Sequence, residues 1–190
     1  RLGRAGVVRG DPLAGPLLRD LPSFVMGLVM LVRSGAHREL NPRRAEFRGR
    51  SLLLFVASGV VSLFGTFAFF YGLNVGGVNI VVPVLQTQII WGALIAWWLL
   101  GEKLELRRGL GVLLALAGLV VLAFGQSQGV PVSDRWLLGA LLALVPALGW
   151  GASDVIWRLG QQRRGVSRAT GITVHYGTSA LLGLLYVALS

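Results

Sequence analysis

The chain has 190 residues, of which 54% are hydrophobic and 14% charged; a soluble domain carries about 25% charged residues, so lipid is the expected solvent. The net charge of +10 comes from 17 arginines and one lysine, Lys103, placed in short loops between apolar runs, which argues against a nucleic-acid-binding face. The absence of cysteine excludes disulfides, thiolate nucleophiles and cysteine-type metal centres, and His37 and His175 are too few for an imidazole metal cluster.

Taken in chain order, residues 1–11 read as a loop following an earlier helix, since the chain opens on Arg1 rather than Met. Residues 12–33 are long enough to span a membrane, although Arg19 and Asp20 interrupt them and the clean part is Leu21–Val32. From Ser51 to Gly101 no Asp, Glu, Lys, Arg or His occurs. That run exceeds one span of about 20 residues, and the turn residues of Gly72–Asn79 divide it into helices over 51–72 and 79–100. An apolar run over 109–125 predicts a further helix. After a loop over 126–135, Trp136–Trp157 predicts another, with tryptophan at both ends as interfacial anchors. Residues 169–190 begin a last helix that stops inside an apolar run, so the chain is expected to continue. The fold class is all-α: a polytopic membrane protein with about six transmembrane helices present.

Topology follows from the loops. Basic residues number 6 in 33–50, 0 in 72–79, 3 in 101–108, 1 in 126–135 and 4 in 158–168. This alternation places loops 33–50, 101–108 and 158–168 in the cytoplasm by the positive-inside rule. The preference for arginine over lysine fits a GC-rich bacterial coding genome, and hence a bacterial inner membrane.

Several polar and small residues inside the spans bear on chemistry. Gly139, Ala143, Ala147 and Gly151 recur every four positions and predict a smooth face for close helix packing; Gly111, Ala115 and Gly118 form a second such stripe. Ser58, Ser62 and Thr66 form a hydroxyl stripe that either lines a polar path or bonds its own helix carbonyls. Pro83 and Pro146 lie inside helices, where each removes a backbone hydrogen bond. Such interruptions expose backbone at transporter binding sites, and simple bends are the other reading. Gln86, Gln88 and Trp91 follow Pro83; an amide in hydrocarbon needs a protein, water or substrate partner. Asp154 pairs locally with Arg158 one turn on, or couples protons. His175, in the last helix with Ser179 one turn beyond, carries protons or bonds a neighbouring helix. No phosphate-binding loop, zinc-protease motif or serine-hydrolase elbow is present.

The stretch PVLQTQIIWGALIAWWLLGEKLELRRGLGVLLALAGLVVLAFG, residues 83–125, resembles the EamA-type members of the drug/metabolite transporter superfamily. It shows a proline-opened helix, the turn Gly101-Glu102-Lys103-Leu104, the basic pair Arg107 and Arg108, and a glycine-bearing helix with Gly111, Ala117 and Gly118. The resemblance implies ten helices in two five-helix inverted repeats. On this chain it assigns 12–125 to helices two to five of the first repeat, 126–135 to the inter-repeat loop, and 136–190 to the start of the second. It further implies a secondary transporter, an exporter or exchanger of small metabolites such as amino acids or drugs, working by alternating access without ATP. Glu102 reads as structural at a cytoplasmic turn.

The expected substrate-path residues are Ser62, Thr66, Gln86, Trp91, Trp150 and His175, chosen for polarity or aromatic character on a span, with Asp154 and His175 as proton-coupling candidates. No catalytic residue, cofactor or metal is expected. The partners are a small-molecule solute, the lipid bilayer and a second copy in a homodimer, with no nucleic acid. The competing readings are a membrane-embedded enzyme, which would need an acidic cluster elsewhere, and a non-transporting scaffold.

Overall fold

The computed structural model describes residues 14–43, 48–102, 109–111, 113, 114, 117, 118, 121, 135–162 and 166–189. Six α-helices and one short 3-10 helix are formed among them: α1 (Ala14–Arg33), the 3-10 helix (Ala36–Leu40), α2 (Gly49–Gly76), α3 (Val78–Leu85), α4 (Gln88–Leu100), α5 (Trp136–Gln162) and α6 (Arg168–Leu189). The stretches Gly49–Gly76, Val78–Leu100, Trp136–Gln162 and Arg168–Leu189 are each long and apolar enough to cross a membrane. Large apolar side chains point outward along them, among them Leu53, Phe64, Trp98, Leu137, Leu181 and Leu189. In water such patches would drive association; in hydrocarbon they cost nothing. The all-α polytopic reading therefore holds.

Helix ends differ from the sequence expectation in two places. The hairpin foreseen over 72–79 shrinks to one residue, because α2 continues through Asn74 and Val75 to Gly76. Gly77 then turns the chain at φ 77°, a conformation that suits a residue without Cβ, and its N–H closes back on the Leu73 carbonyl at 3.1 Å. α5 runs past Trp157 to Gln162, so Trp157 and Arg158 are helical rather than terminal. The packing explains it: Gly160 is buried against the Phe55 ring, which extends the apolar face by another turn.

The chain divides into two compact units, one of Arg1–Leu63 with Ser153–Ser190 and one of Phe64–Ala152. In the first, α1 packs along α6. The pairing is antiparallel: Leu17 meets Gly183, Phe24 meets Gly177, and Gly27 meets Ile172 and Thr173. Leu31, Ala36 and Ala169 form a small core that ties the 3-10 helix to both, with Leu40 against it. Phe55 is fully buried, touching Gly160 and Gly171, with Trp157 tilted at 48° and 6.3 Å between centroids.

In the second unit, the small-residue stripe of α5 is a packing face. Gly139, Ala143, Ala147 and Gly151 are all buried. Gly139 lies in backbone contact with Gly76, and Gly151 faces the Gly92 nitrogen and the Gln88 carbonyl. A side chain at any of these crossings would separate the helices, the usual reason for small residues between helices in lipid. Of the second stripe, Gly111 and Gly118 face open space among the described residues, and Ala115 lies outside them. The helix expected over 109–125 is helical wherever it is described. Residues 1–11 and 126–134 lie outside the described residues, as do 103–108.

Candidate functional site

The second apolar stretch is interrupted: α3, which holds Pro83, stops at Leu85 and α4 restarts at Gln88. Without an N–H, Pro83 leaves the Asn79 carbonyl without its helical bond one turn before that interruption. Across the gap the bonding tightens to a three-residue spacing: Thr87 N donates to Val84 O at 3.1 Å, Ile89 N to Gln86 O at 3.4 Å, and Ile90 N to Thr87 O at 2.9 Å. The Thr87 hydroxyl also donates to Val84 O, at 2.7 Å. Gln86 therefore sits in the interruption itself, half-buried.

Trp91 lies one turn beyond. Its indole Nε1 is buried, with no hydrogen-bond partner among the described residues. An N–H without a partner is expensive away from water. In the same unit Thr66 is fully buried on α2, and Trp150 on α5 leans against Phe69 with centroids 5.6 Å apart and touches Gly65. Phe69 and Phe70 meet edge to face at 5.3 Å. Thr66, Gln86, Trp91 and Trp150 thus belong to one unit whose described membrane segments, 64–100 and 136–152, carry no charge.

Ser62 and His175 belong to the other unit and are both buried. His175 Nδ1 lies 2.8 Å from Ser58 Oγ, which also bonds Phe55 O at 2.8 Å. A hydroxyl has one proton to give. With the Ser58 proton directed to Phe55 O, His175 donates from Nδ1; with it directed to Nδ1, the imidazole accepts. The Ser58 carbonyl in turn accepts from Ser153 Oγ at 2.9 Å. Ser58 joins α2, α5 and α6 in this way, and its bond to Phe55 O is the self-bonding reading of the hydroxyl stripe. Asp154, next to Ser153, is exposed and stands outside this junction, with the positive charges of Arg158 and Arg19 acting on it.

Residues 17–124, more than half of the chain, match the EamA-like transporter family. The chain belongs to the EamA-like transporter family. It is accordingly a multi-pass membrane transporter of the drug/metabolite type, and the family is one of transporters, not of enzymes. No curated protein matches the chain significantly.

Three polar contacts of this EamA-like chain escape the sequence. Asp20 on α1 accepts from the Ser179 hydroxyl on α6, and both are buried. Ser153 had no signal of its own, sitting next to the small-residue stripe. Glu39 of the 3-10 helix reaches the start of α6, accepting from Ser167 N at 2.9 Å and Thr170 Oγ1 at 2.6 Å. Only Asp20 announced itself, as a carboxylate within an apolar run.

Proposed function

We propose that the chain exports or exchanges small metabolites, such as amino acids or drugs, across a bacterial inner membrane by alternating access. The interrupted helix is the observation that carries this reading: the break between α3 and α4 holds Gln86, and the unpartnered Trp91 indole follows one turn later. Broken helices of this kind offer polar groups to a solute within the bilayer. Thr66, Gln86, Trp91 and Trp150 are the path candidates in one unit; Ser62 and His175 are candidates within the other. In this reading residues 12–125 supply helices two to five of a first repeat, and 136–190 open a second. Loops 33–50, 101–108 and 158–168 face the cytoplasm, as their arginines require.

The test is transport by the intact protein in lipid vesicles, loaded in turn with labelled amino acids and amphipathic drugs. Efflux of at least one solute class above that of empty vesicles is expected; no movement of any would reject the reading. Single cysteines placed at Arg38 and at Gln162, in a protein otherwise free of cysteine as these 190 residues are, would report sidedness. Both should react only from the cytoplasmic face.

A further inference from the structure

Asp20 is the most deeply buried charged side chain described, at 1% exposure. Its partner Ser179 lies eleven positions after Arg168 in a helix of 22 residues, and so halfway along α6. At about 1.5 Å per residue, that places the carboxyl near the middle of a span. An ionised carboxylate at that depth is costly unless well paired.

Its pairing is incomplete. Ser179 Oγ donates to Oδ2, while Oδ1 is buried and accepts no hydrogen bond. Among the described residues its ion pair is with Arg19, whose Nε is 3.7 Å from Oδ1, beyond hydrogen-bond distance. Consecutive helical residues point about 100° apart, and accordingly Arg19 is 38% exposed while Asp20 is enclosed. Among the described residues, Arg19 is the charged group that acts on Asp20. Asp154 on α5 and His175 on α6 feel the same Arg19, and Glu39 is engaged at the far end of α6.

The seam that encloses the carboxyl borders open space. α1 and α6 meet there through Gly177 and Gly183, and beside them runs an open apolar groove of about 400 Å³ lined by Leu21, Phe24, Thr173, Thr178 and Leu184. We propose that Asp20 is a proton-binding site of the transport cycle: Oδ1 takes a proton from water and holds it while the carboxyl is enclosed against Ser179, and returns it to water when α1 and α6 separate. The Ser179 hydroxyl donates to Oδ2 in both forms, so protonation adds one O–H bond at Oδ1 and breaks none in the protein. The link to solute movement rests on the transport reading above; the proton site itself does not.

Infrared difference spectra of the intact protein in lipid vesicles, recorded as the pH is stepped in H2O and in D2O, test it directly. A carboxylic C=O stretch should grow as pH falls, shift down in D2O and vanish in Asp20→Asn. Ser179→Ala should move the same band to higher frequency by removing its donor, which keeps the test decisive if Asp20→Asn fails to insert. A band unmoved by both substitutions overturns the proposal. So does a carboxylate signal from Asp20 at every pH, which would mean a permanent pair with Arg19. A proper Asp20 band in vesicles that move no solute would overturn the coupling and the transport reading while leaving the proton site in place.

Discussion

His175 on α6 lies 2.8 Å from the hydroxyl of Ser58 on α2, and the backbone carbonyl of that same serine takes the Ser153 hydroxyl of α5. Removing the shared hydroxyl strips His175 of its partner inside a buried setting. Hydrogen bonds between membrane helices average about 0.6 kcal/mol and reach about 1.7 kcal/mol. Ser58→Ala should fall at the upper end, since an orphaned buried group adds its own desolvation cost. A double-mutant cycle of Ser58→Ala with His175→Ala, followed by unfolding in mixed detergent, should return a coupling of about 1 kcal/mol. Zero coupling would mean the bond does not form in the membrane.

One residue after Ser58, Gly59 meets the His175 carbonyl oxygen, and an added Cβ there would overlap backbone rather than a movable side chain. Gly59→Ala should cost about 1–3 kcal/mol, as overpacking does. Gly177→Ala offers the contrast: its Cβ would meet Phe24 at 2.7 Å, and a phenyl ring can swing aside. Thermal unfolding should therefore rank Gly59→Ala well below Gly177→Ala. Equal midpoints would show that α2 and α6 do not touch at Gly59.

Much of the architecture was legible because charge is forbidden in hydrocarbon. A run without a single charged residue from Ser51 to Gly101, and glycines and a proline within it, mark helices, a turn and a break with no further information. The small-residue stripe of α5 was legible for the same reason, as a four-residue period visible within one helix. The polar contacts were not. Ser58 and His175 stand 117 positions apart, and Asp20 and Ser179 stand 159 apart. No local period links such pairs; only packing does. Helix ends were misplaced where tertiary contact, such as Phe55 against Gly160, prolongs a helix beyond its charge-free run.

Pro83→Ala returns to α3 an N–H that can bond the Asn79 carbonyl, and it tests whether the interruption at Gln86 and Thr87 depends on the proline one turn before it. Stability should hold or rise, since proline within a helix is the costly choice. Transport should fall, because a continuous helix withdraws the groups that the gap presents. Full transport with a stabilised protein would show that the break serves only to bend the chain.

Gln86→Leu tests the side chain within the gap. Leucine is compatible with lipid and with helix, so insertion and thermal midpoint should stay within those of the parent protein. Solute efflux should drop several-fold while lipid insertion is unchanged. Unaltered efflux would remove Gln86 from the path.

Glu39 tests the N-terminal end of α6. Its carboxylate oxygen receives Ser167 N and Thr170 Oγ1, while Thr170 N donates to Ser167 Oγ at 3.2 Å, so two side chains cap a helix that starts at Arg168. A negative charge at a helix N-terminus is worth about 0.3–1 kcal/mol. Glu39→Gln keeps an acceptor and loses the charge, so it should cost about that much. Glu39→Ala also loses the bonds and should cost about 1–3 kcal/mol, the price of leaving a buried donor unsatisfied. The more local readout is hydrogen exchange: amides of residues 167–171 should exchange faster in Glu39→Ala than in Glu39→Gln, and faster in Glu39→Gln than in the parent. Identical exchange in all three would mean that the 3-10 helix leaves α6 uncapped in the membrane, and Ser167 alone would then have to start the helix.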